Sequence, residues 1–540
     1  MPLGSAAATL PPMSNPLHAV GPSWAVATPH ALATDAAVVA YEHGGTAVDA
    51  ALAAAVTLAV VYPHMCGVGG DLFALVRHPD GAVVALNASG RAPMGVDPDA
   101  LRARHGFTVP PYGPPPVTIP GAVSGWRLLH EQGARLPWAD AFGAAIAYAH
   151  DGAPVSSSLA ETLAWDPERL SADPGMAAIF FPEGKPLPER QQVLQPALGT
   201  TLQAIASYGA QALYDGDVGA RYSAGLRSAG VPITLEDLRA HTAELGAPLI
   251  TRYRDLDVQV CPPNSQGFVL LEILALIERM ELDPDPVGAD AAMLARVFRA
   301  AARDRDLHLA DADAMRIHAT ALMDDGHLAS LADEVRGLVT GEAGPIATSG
   351  TGDTIALVTA DASGTAVSLI QSLYHGFGAG ILEPTTGIVA QDRGACFTLD
   401  PAHANTLLPG RRPAHTLMPV MVHRDGELEV VSGAMGGSAQ PQINAINLLR
   451  CLDLGMTPGQ AVAAPRWLVG GMDPETEDPF IDVEASVPPS AADSFRTSGF
   501  TIVERPDLTG DLGHSHMIRA GRDGFDVGSD PRADGSAAAG

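Results

Sequence analysis

The stretch "SGTGDTIALVTADASGTAVSLIQSLYHGFGAG", Ser349–Gly380, decides how the chain reads. Two apolar runs, Ile355–Ala360 and Thr365–Tyr374, flank Asp361-Ala362-Ser363-Gly364, a pattern that predicts a β-hairpin closed by a short glycine-containing turn. Thr354 opens the first strand, directly after "GEAGPIATSGTGD" (Gly341–Asp353), a linker-like run of small residues. A threonine at a strand start is by itself ordinary β-propensity. Its hydroxyl becomes a nucleophile only with a base at hand, and a threonine at a chain N-terminus carries one, because an α-amino group has a pKa near ~7.7–8.0. Cleavage before Thr354 would therefore create a catalyst.

The remaining composition narrows the classes. With 540 residues, 46% of them hydrophobic, the chain can bury a sizeable core. Its formal charge is −29 and Lys185 is its sole lysine. A surface for neutralising phosphates is therefore not expected, nor is nucleic acid as a partner, and the negative field disfavours anionic membranes. The apolar run Ala50–Tyr62 is too short to span a bilayer and reads as a buried helix. Cys66, Cys261, Cys396 and Cys451 form no CxxC pair, so neither a zinc site nor a disulfide framework is suggested. With no basic n-region at the start, a cytoplasmic location is expected. Residues 1–20 and the last ten or so, within "DPRADGSAAAG", read as disordered.

Helical patterns dominate up to about residue 340, including two helices separated by Gly44-Gly45 and others at 122–132, 139–150, 266–280 and 290–310. A hairpin turning at Asp80-Gly81 interrupts them. After Thr354 strands take over at 355–360, 365–374, 418–423 and 428–433, followed by a helix at 442–454. There is no GxSxG, HExxH, GxxxxGK[ST] or strand-linked GxGxxG, which removes the hydrolase elbow, zincin, P-loop and Rossmann chemistries. His514 and His516 lack the acidic or cysteine companions of a typical metal site and read as structural; no metal is expected.

The hairpin, "GAMGGSAQPQ" (Gly433–Gln442), "GGTAVDAALAAAVTLAVVYPHMCGVGGD" (Gly44–Asp71), "TIPGAVSGW" (Thr118–Trp126) and "DPRADG" together resemble the γ-glutamyltransferase family of N-terminal-nucleophile hydrolases over nearly the whole chain. The resemblance implies an α+β fold, a four-layer αββα sandwich, autoprocessed between Asp353 and Thr354 into a large subunit (21–353) and a small subunit (354–540). It implies Thr354 as nucleophile and α-amino base, Ser372 as its hydroxyl partner, and Gly436 and Gly437 as the oxyanion hole. That last role has a physical reading as well, since bare backbone N–H groups between a strand and a helix can face a developing oxyanion.

The segments that in this family recognise a γ-glutamyl group depart from its pattern. Aligned without gaps, the family's arginine falls on Ser89, its asparagine on Tyr374, its glutamine on Arg393, its aspartate on Cys396 and its paired serines on His415 and Thr416. Losing the aspartate removes the partner of an α-ammonium, and an unpaired desolvated cation costs several kcal/mol. Arg91 and Arg393 offer positive charge for a carboxylate instead. The expected activity is that of a γ-glutamyltransferase-like amidohydrolase acting on a small carboxylate-bearing amide, oxamate-like or an acyl amide. Water or an amine would be the acceptor, and no cofactor is expected. The two subunits would come from one precursor, with a dimer of these heterodimers possible. The rivals are a true glutathione-handling γ-glutamyltransferase and an unprocessed, non-catalytic binding protein of the same fold.

Overall fold

A computed structural model describes residues 16–337, 353–472 and 479–540. Fourteen strands build its two large sheets: β1 (His18–Gly21), β2 (Trp24–Thr28), β3 (Asp71–Arg77), β4 (Val83–Ala88), β5 (Glu244–Gly246), β6 (Leu249–Tyr253), β7 (Leu256–Val260), β8 (Asp353–Asp361), β9 (Ala366–Tyr374), β10 (Val420–Arg424), β11 (Glu427–Met435), β12 (His514–Gly521), β13 (Gly524–Ser529) and β14 (Ser536–Ala539). One sheet runs β14-β2-β8-β9-β3-β4-β5 and the other β1-β13-β12-β11-β10-β7-β6. Every neighbouring pair in both is antiparallel.

Alternation along the hairpin sorts its side chains between two cores. Ala356, Val358 and Ile370 point between the sheets, where they meet Phe73, Leu75, Met421, Val431 and Ile518. Ile355, Leu357 and Leu369 point the other way, onto α1 (Ala31–Glu42) and the wholly buried α2 (Ala47–Val61). The outer face of the second sheet packs on α3 (Gly267–Arg279), α4 (Ala291–His308), α5 (Asp325–Gly337) and α6 (Gln440–Leu448). This is the four-layer αββα order. The sheets approach closely because Gly433 carries no side chain: a Cβ there would lie 2.9 Å from Ile370 Cδ1 and 3.2 Å from the Ala356 Cβ. Ser368 Oγ then bridges the layers to the Ser432 carbonyl at 2.7 Å.

The helices and strands expected from periodicity are found with shifts of a few residues at their ends, and the 139–150 pattern splits into a 3-10 turn and a helix at Gly143–Asp151. Two expectations of disorder are corrected. Residues 536–539 form β14, paired with β2 through Ala25↔Ala539 to Thr28↔Ser536, and residues 18–20 belong to β1, paired with β13. Small, polar-poor sequences such as Ser-Ala-Ala-Ala carry little strand signal of their own; the edge of β2 supplies the pairing. The linker-like 341–352 lies outside the described residues.

The C-terminal "DPRADG" also ties the layers. Arg466 and Arg532 are buried against Asp530 at 2.7 and 3.0 Å, and Arg532 reaches Glu484 at 2.6 Å, so two cations face two carboxylates away from water.

Burial holds eight histidines below their usual range: His64, His415 and His516 are pushed to about 3, His30, His241, His423 and His514 to about 4, and His308 is lowered as well. Each stays neutral in the fold but takes up a proton once unfolded below pH ~6.5. Their contribution to stability is complete above that value and is lost as pH falls toward 3–4. The raised carboxyls of Asp35, Glu272, Asp353, Asp453 and Asp482 act in the opposite sense but are fewer. Denaturant midpoints measured from pH 8 to 4.5 are therefore expected to fall steadily below about 6.5; a flat profile across that window would contradict the neutral buried rings.

Candidate functional site

At the start of β8 a register shift between Asp353 and Thr354 places Thr354 opposite Ser372, with Asp353 opposite Tyr374. Thr354 is fully buried. Its Oγ1 donates to Ser372 Oγ at 2.9 Å, and Ser372 Oγ donates to the Asp353 carbonyl at 2.7 Å. The same serine oxygen accepts from the Tyr374 amide at 2.7 Å, with Arg393 Nη2 at 3.4 Å. One hydroxyl thus joins the Thr354 hydroxyl to the carbonyl of the preceding peptide. Burial pushes the Asp353 carboxyl up to about 7; His375 and the Gly376 amide oppose that shift and Asp392 adds to it.

Arg393 is completely buried beside this junction. Its guanidinium donates to Thr416 Oγ1 at 2.9 Å, lies 3.7 Å from Cys396 Sγ and sits under the Tyr374 ring, 4.1 Å from the centroid. Among the described residues no carboxylate pairs with it. Asp392, its chain neighbour, accepts both the His375 amide at 3.1 Å and the His375 ring at 2.5 Å, so it is already engaged. Tyr374 itself has φ +86°, a left-handed conformation that is costly for a bulky residue, on the order of 1–3 kcal/mol. Tyr374, Cys396, His415 and Thr416 line a cavity of about 470 Å³ together with Gln266, Arg305 and Ser438.

The loop after β11 carries Gly436 (φ +149°) and Gly437 (φ +53°), conformations natural to glycine alone. A Cβ on Gly436 would lie 2.4 Å from Ile443 Cδ1. Gln266 Nε2 holds the Gly437 carbonyl at 2.9 Å and Arg305 the Ser438 carbonyl at 2.8 Å, which fixes the loop before α6 begins. Met435, just before it, shares with Asp353 the wall of a second cavity of about 430 Å³, so the loop starts at the same end of the sandwich as the Asp353–Thr354 peptide.

The gamma-glutamyltranspeptidase family model matches residues 33–540. The chain belongs to that family. It is 36% identical to the oxamate amidohydrolase proenzyme of Klebsiella pneumoniae over 522 residues, 94% of this chain and 97% of that protein. It is also 36% identical to the glutathione hydrolase-like YwrD proenzyme of Bacillus subtilis, covering 96% and 98%. Among solved structures, the cephalosporin acylase of Bacillus halodurans matches with a TM-score of 0.89 at 31% identity, covering 100% of this chain and 99% of that one. The αββα sandwich is that of the N-terminal-nucleophile hydrolases in this family.

Within the gamma-glutamyltranspeptidase frame, the residues expected from sequence divide into two groups. Tyr374, His415 and Thr416 line the cavity, and Arg393, which does not line it, is buried behind them and bonded to Thr416. Ser89 and Arg91 do not line it. Ser89 is buried, its hydroxyl bonded to Asn87 Oδ1 at 2.7 Å, and Arg91 is spent on Asp311 at 3.4 Å and Glu244 at 3.6 Å. His516 reaches Ser529 Oγ at 3.1 Å as a structural histidine would, whereas neither ring nitrogen of His514 finds a partner.

Three residues given no role in the sequence reading prove central to the site's framework. Asp71, which ends the Gly-Gly-Asp motif, accepts from the Gly90 amide at 2.9 Å, Gln391 Nε2 at 2.8 Å and His415 Nε2 at 3.1 Å. Burial and the neighbouring Arg393 keep His415 neutral, so this last contact is a hydrogen bond between a neutral donor and a carboxylate. Gln266 and Arg305 secure the glycine loop. The Gly-Gly-Asp motif was a visible signal for Asp71, but nothing in the local sequence marks the other two. Asp71→Ala removes three buried hydrogen bonds, leaving the Gly90 amide and His415 Nε2 without an acceptor and Gln391 Nε2 with only the Ile119 carbonyl, and is expected to destabilise the fold by ~3 kcal/mol or more in denaturant unfolding. A loss below ~1 kcal/mol would show that these segments do not depend on it.

Proposed function

We propose that the chain is a precursor that cleaves its own Asp353–Thr354 peptide and then hydrolyses small carboxylate-bearing amides through an acyl–Thr354 intermediate. The observation that carries this reading is the hydrogen-bonded path from Thr354 Oγ1 through Ser372 Oγ to the Asp353 carbonyl. As Oγ1 attacks the Asp353 carbonyl carbon, Ser372 takes the threonine proton and passes its own toward the carbonyl oxygen. Collapse of the adduct breaks the C–N bond, passes the hydroxyl proton to the departing nitrogen and leaves an ester beside a free Thr354 amine; water then hydrolyses the ester, releasing the Asp353 carboxylate and restoring the Thr354 hydroxyl. In turnover that amine takes the Oγ1 proton as Thr354 attacks a substrate amide, and returns a proton to the leaving amine. The Gly436 and Gly437 amides stabilise the oxyanion, and water or an amine then resolves the acyl-enzyme.

The relatives support the self-cleaving part, since both curated ones are named as proenzymes. They also frame the substrate: one is an oxamate amidohydrolase and the solved neighbour a cephalosporin acylase. The pocket favours an anion over an amino acid head group. Arg393 is a buried cation without a carboxylate, directly behind the wall made by Tyr374, Cys396 and Thr416. Asp392, the nearest candidate for an ammonium, is held by His375. A cavity of about 470 Å³ has room for more than oxamate, so acyl amides with a distal carboxylate fit the same description. The four cysteines are all free thiols, which supports a reducing, cytoplasmic setting; no helix among the described residues is long and apolar enough to cross a membrane.

Thr354→Ala is expected to leave one intact chain on denaturing gels, and Ser372→Ala to slow cleavage at least about tenfold. Wild-type protein should yield a fragment beginning Thr-Ile-Ala-Leu. Cleavage of the alanine variant at the same bond would assign the cut to another nucleophile.

For substrate, kcat/KM is expected to be higher for oxamate or a carboxyl-terminated acyl amide than for γ-glutamyl-p-nitroanilide or glutathione. Arg393→Met should erase that preference, mainly by raising KM. A clear preference of the wild type for the γ-glutamyl compounds would instead favour the glutathione-hydrolase reading.

A further inference from the structure

On the far side of the second sheet, three helices bring together Glu272 of α3, Asp304 of α4 and His327 of α5, with one ligand atom from each lying within 4.8 Å of the others. Glu272 is fully buried between Leu271 and Ile273, and neither of its carboxylate oxygens has a hydrogen-bond partner. Asp304 is buried as well, and its Oδ2 lies 2.5 Å from His327 Nε2. The arginines that flank Asp304 in sequence turn elsewhere: Arg303 pairs with Glu334, and Arg305 with Asp306.

A buried carboxylate with both oxygens idle is costly unless a cation or proton meets it. We propose that Glu272, Asp304 and His327 bind one divalent first-row transition metal ion of the zinc or manganese type. Two carboxylates and a neutral imidazole carry a charge of −2, which one such ion balances. The imidazole selects against calcium and magnesium, which prefer all-oxygen shells. Bonds near ~2.1 Å would require the three donors to shift by only modest side-chain adjustment from their present spacing. His327 is about a third exposed, so it offers an entry path and leaves a coordination position open to water. The role is structural. The ion would clasp α5, the last described helix before Asp353, onto α3 and α4, and α4 is the helix whose Arg305 holds the loop beyond Gly437. No local sequence motif announces the site, because its ligands are 32 and 23 residues apart along the chain.

The test uses untagged full-length protein, stripped with a chelator and then titrated separately with zinc and manganese salts, with bound metal read by elemental analysis and stability by thermal melting. The expected result is uptake of one tightly held equivalent more by wild type than by Glu272→Gln or His327→Gln, with a rise in melting temperature of several degrees that both variants lose. Comparison with the variants removes binding at other histidines from the count. His327→Gln changes a partly exposed residue, so the comparison survives if Glu272→Gln folds poorly. Equal uptake by wild type and His327→Gln would overturn the proposal. So would a Glu272→Gln variant that melts higher than wild type with and without metal, because Glu272 would then be only a buried acid carrying its own proton.

Discussion

The Ser372 hydroxyl is shared between the Thr354 hydroxyl and the Asp353 carbonyl, and the surrounding elements are arranged around keeping it there. A serine at mid-strand would face only the sheet-to-sheet core. Here the register shift at the mouth of β8 turns the Asp353 carbonyl toward it, and the Tyr374 amide fixes it from the other side. That demands a rigid β8–β9 pair, which the two cores provide by gripping alternate residues of both strands. It also demands a close second sheet, which the bare Cα of Gly433 permits. A hydrogen-bond chain of this kind is worth only ~1 kcal/mol per link in stability, so it is set by the scaffold and does not itself hold the scaffold together.

The proposed specificity would follow from which charges are already committed. In a buried site an unpaired ion is penalised by several kcal/mol; a desolvated cation–π contact such as that of Arg393 with Tyr374 returns about 2 kcal/mol or more but supplies no opposite charge. Among the described residues the guanidinium has hydroxyl and ring partners but no anionic one, the deficit that a carboxylate-bearing substrate would answer on the proposed reading. An incoming ammonium meets the reverse situation. Asp71 is occupied by three donors and Asp392 by His375, so neither anion is free to receive it.

How much of this was legible in sequence depends on how local each cause is. The β8–β9 hairpin was readable because apolar alternation and the turn at Asp361–Gly364 lie within one short segment. Thr354, Ser372 and the glycine pair were legible through motifs that combine with that hairpin. β14 was not, because its alanines become a strand only by pairing with β2 at the opposite end of the chain. The choice between the two arginines was equally hidden. Arg91 and Arg393 look alike in sequence, but Asp311 and Glu244 arrive from distant segments to neutralise the first and nothing among the described residues neutralises the second. Gln266 and Arg305 were missed for the same reason, since they act on a loop more than a hundred residues away.

Cleavage at the proposed bond would change the electrostatics in the direction turnover needs. The new α-amine of Thr354 would appear in a buried setting, close to Ser372 and within reach of the Arg393 field. Both burial and that cation disfavour an ammonium and lower its pKa from the usual ~7.7–8.0, leaving a neutral amine able to accept the Oγ1 proton. The Asp353 side chain opposes this only weakly near neutrality, because burial already pushes it up to about 7 and leaves it partly protonated. Its newly freed α-carboxylate, in contrast, would be charged, and a carboxylate left beside the amine would stabilise the ammonium and return its pKa upward. A base that works at neutral pH therefore requires the severed end at Asp353 to move away from Thr354, and the cavity that Asp353 shares with Met435 and Asp534 lies on that side of the break. On the proposed reading, departure of the severed Asp353 end would thus be part of making the catalyst, alongside the bond cleavage that precedes it.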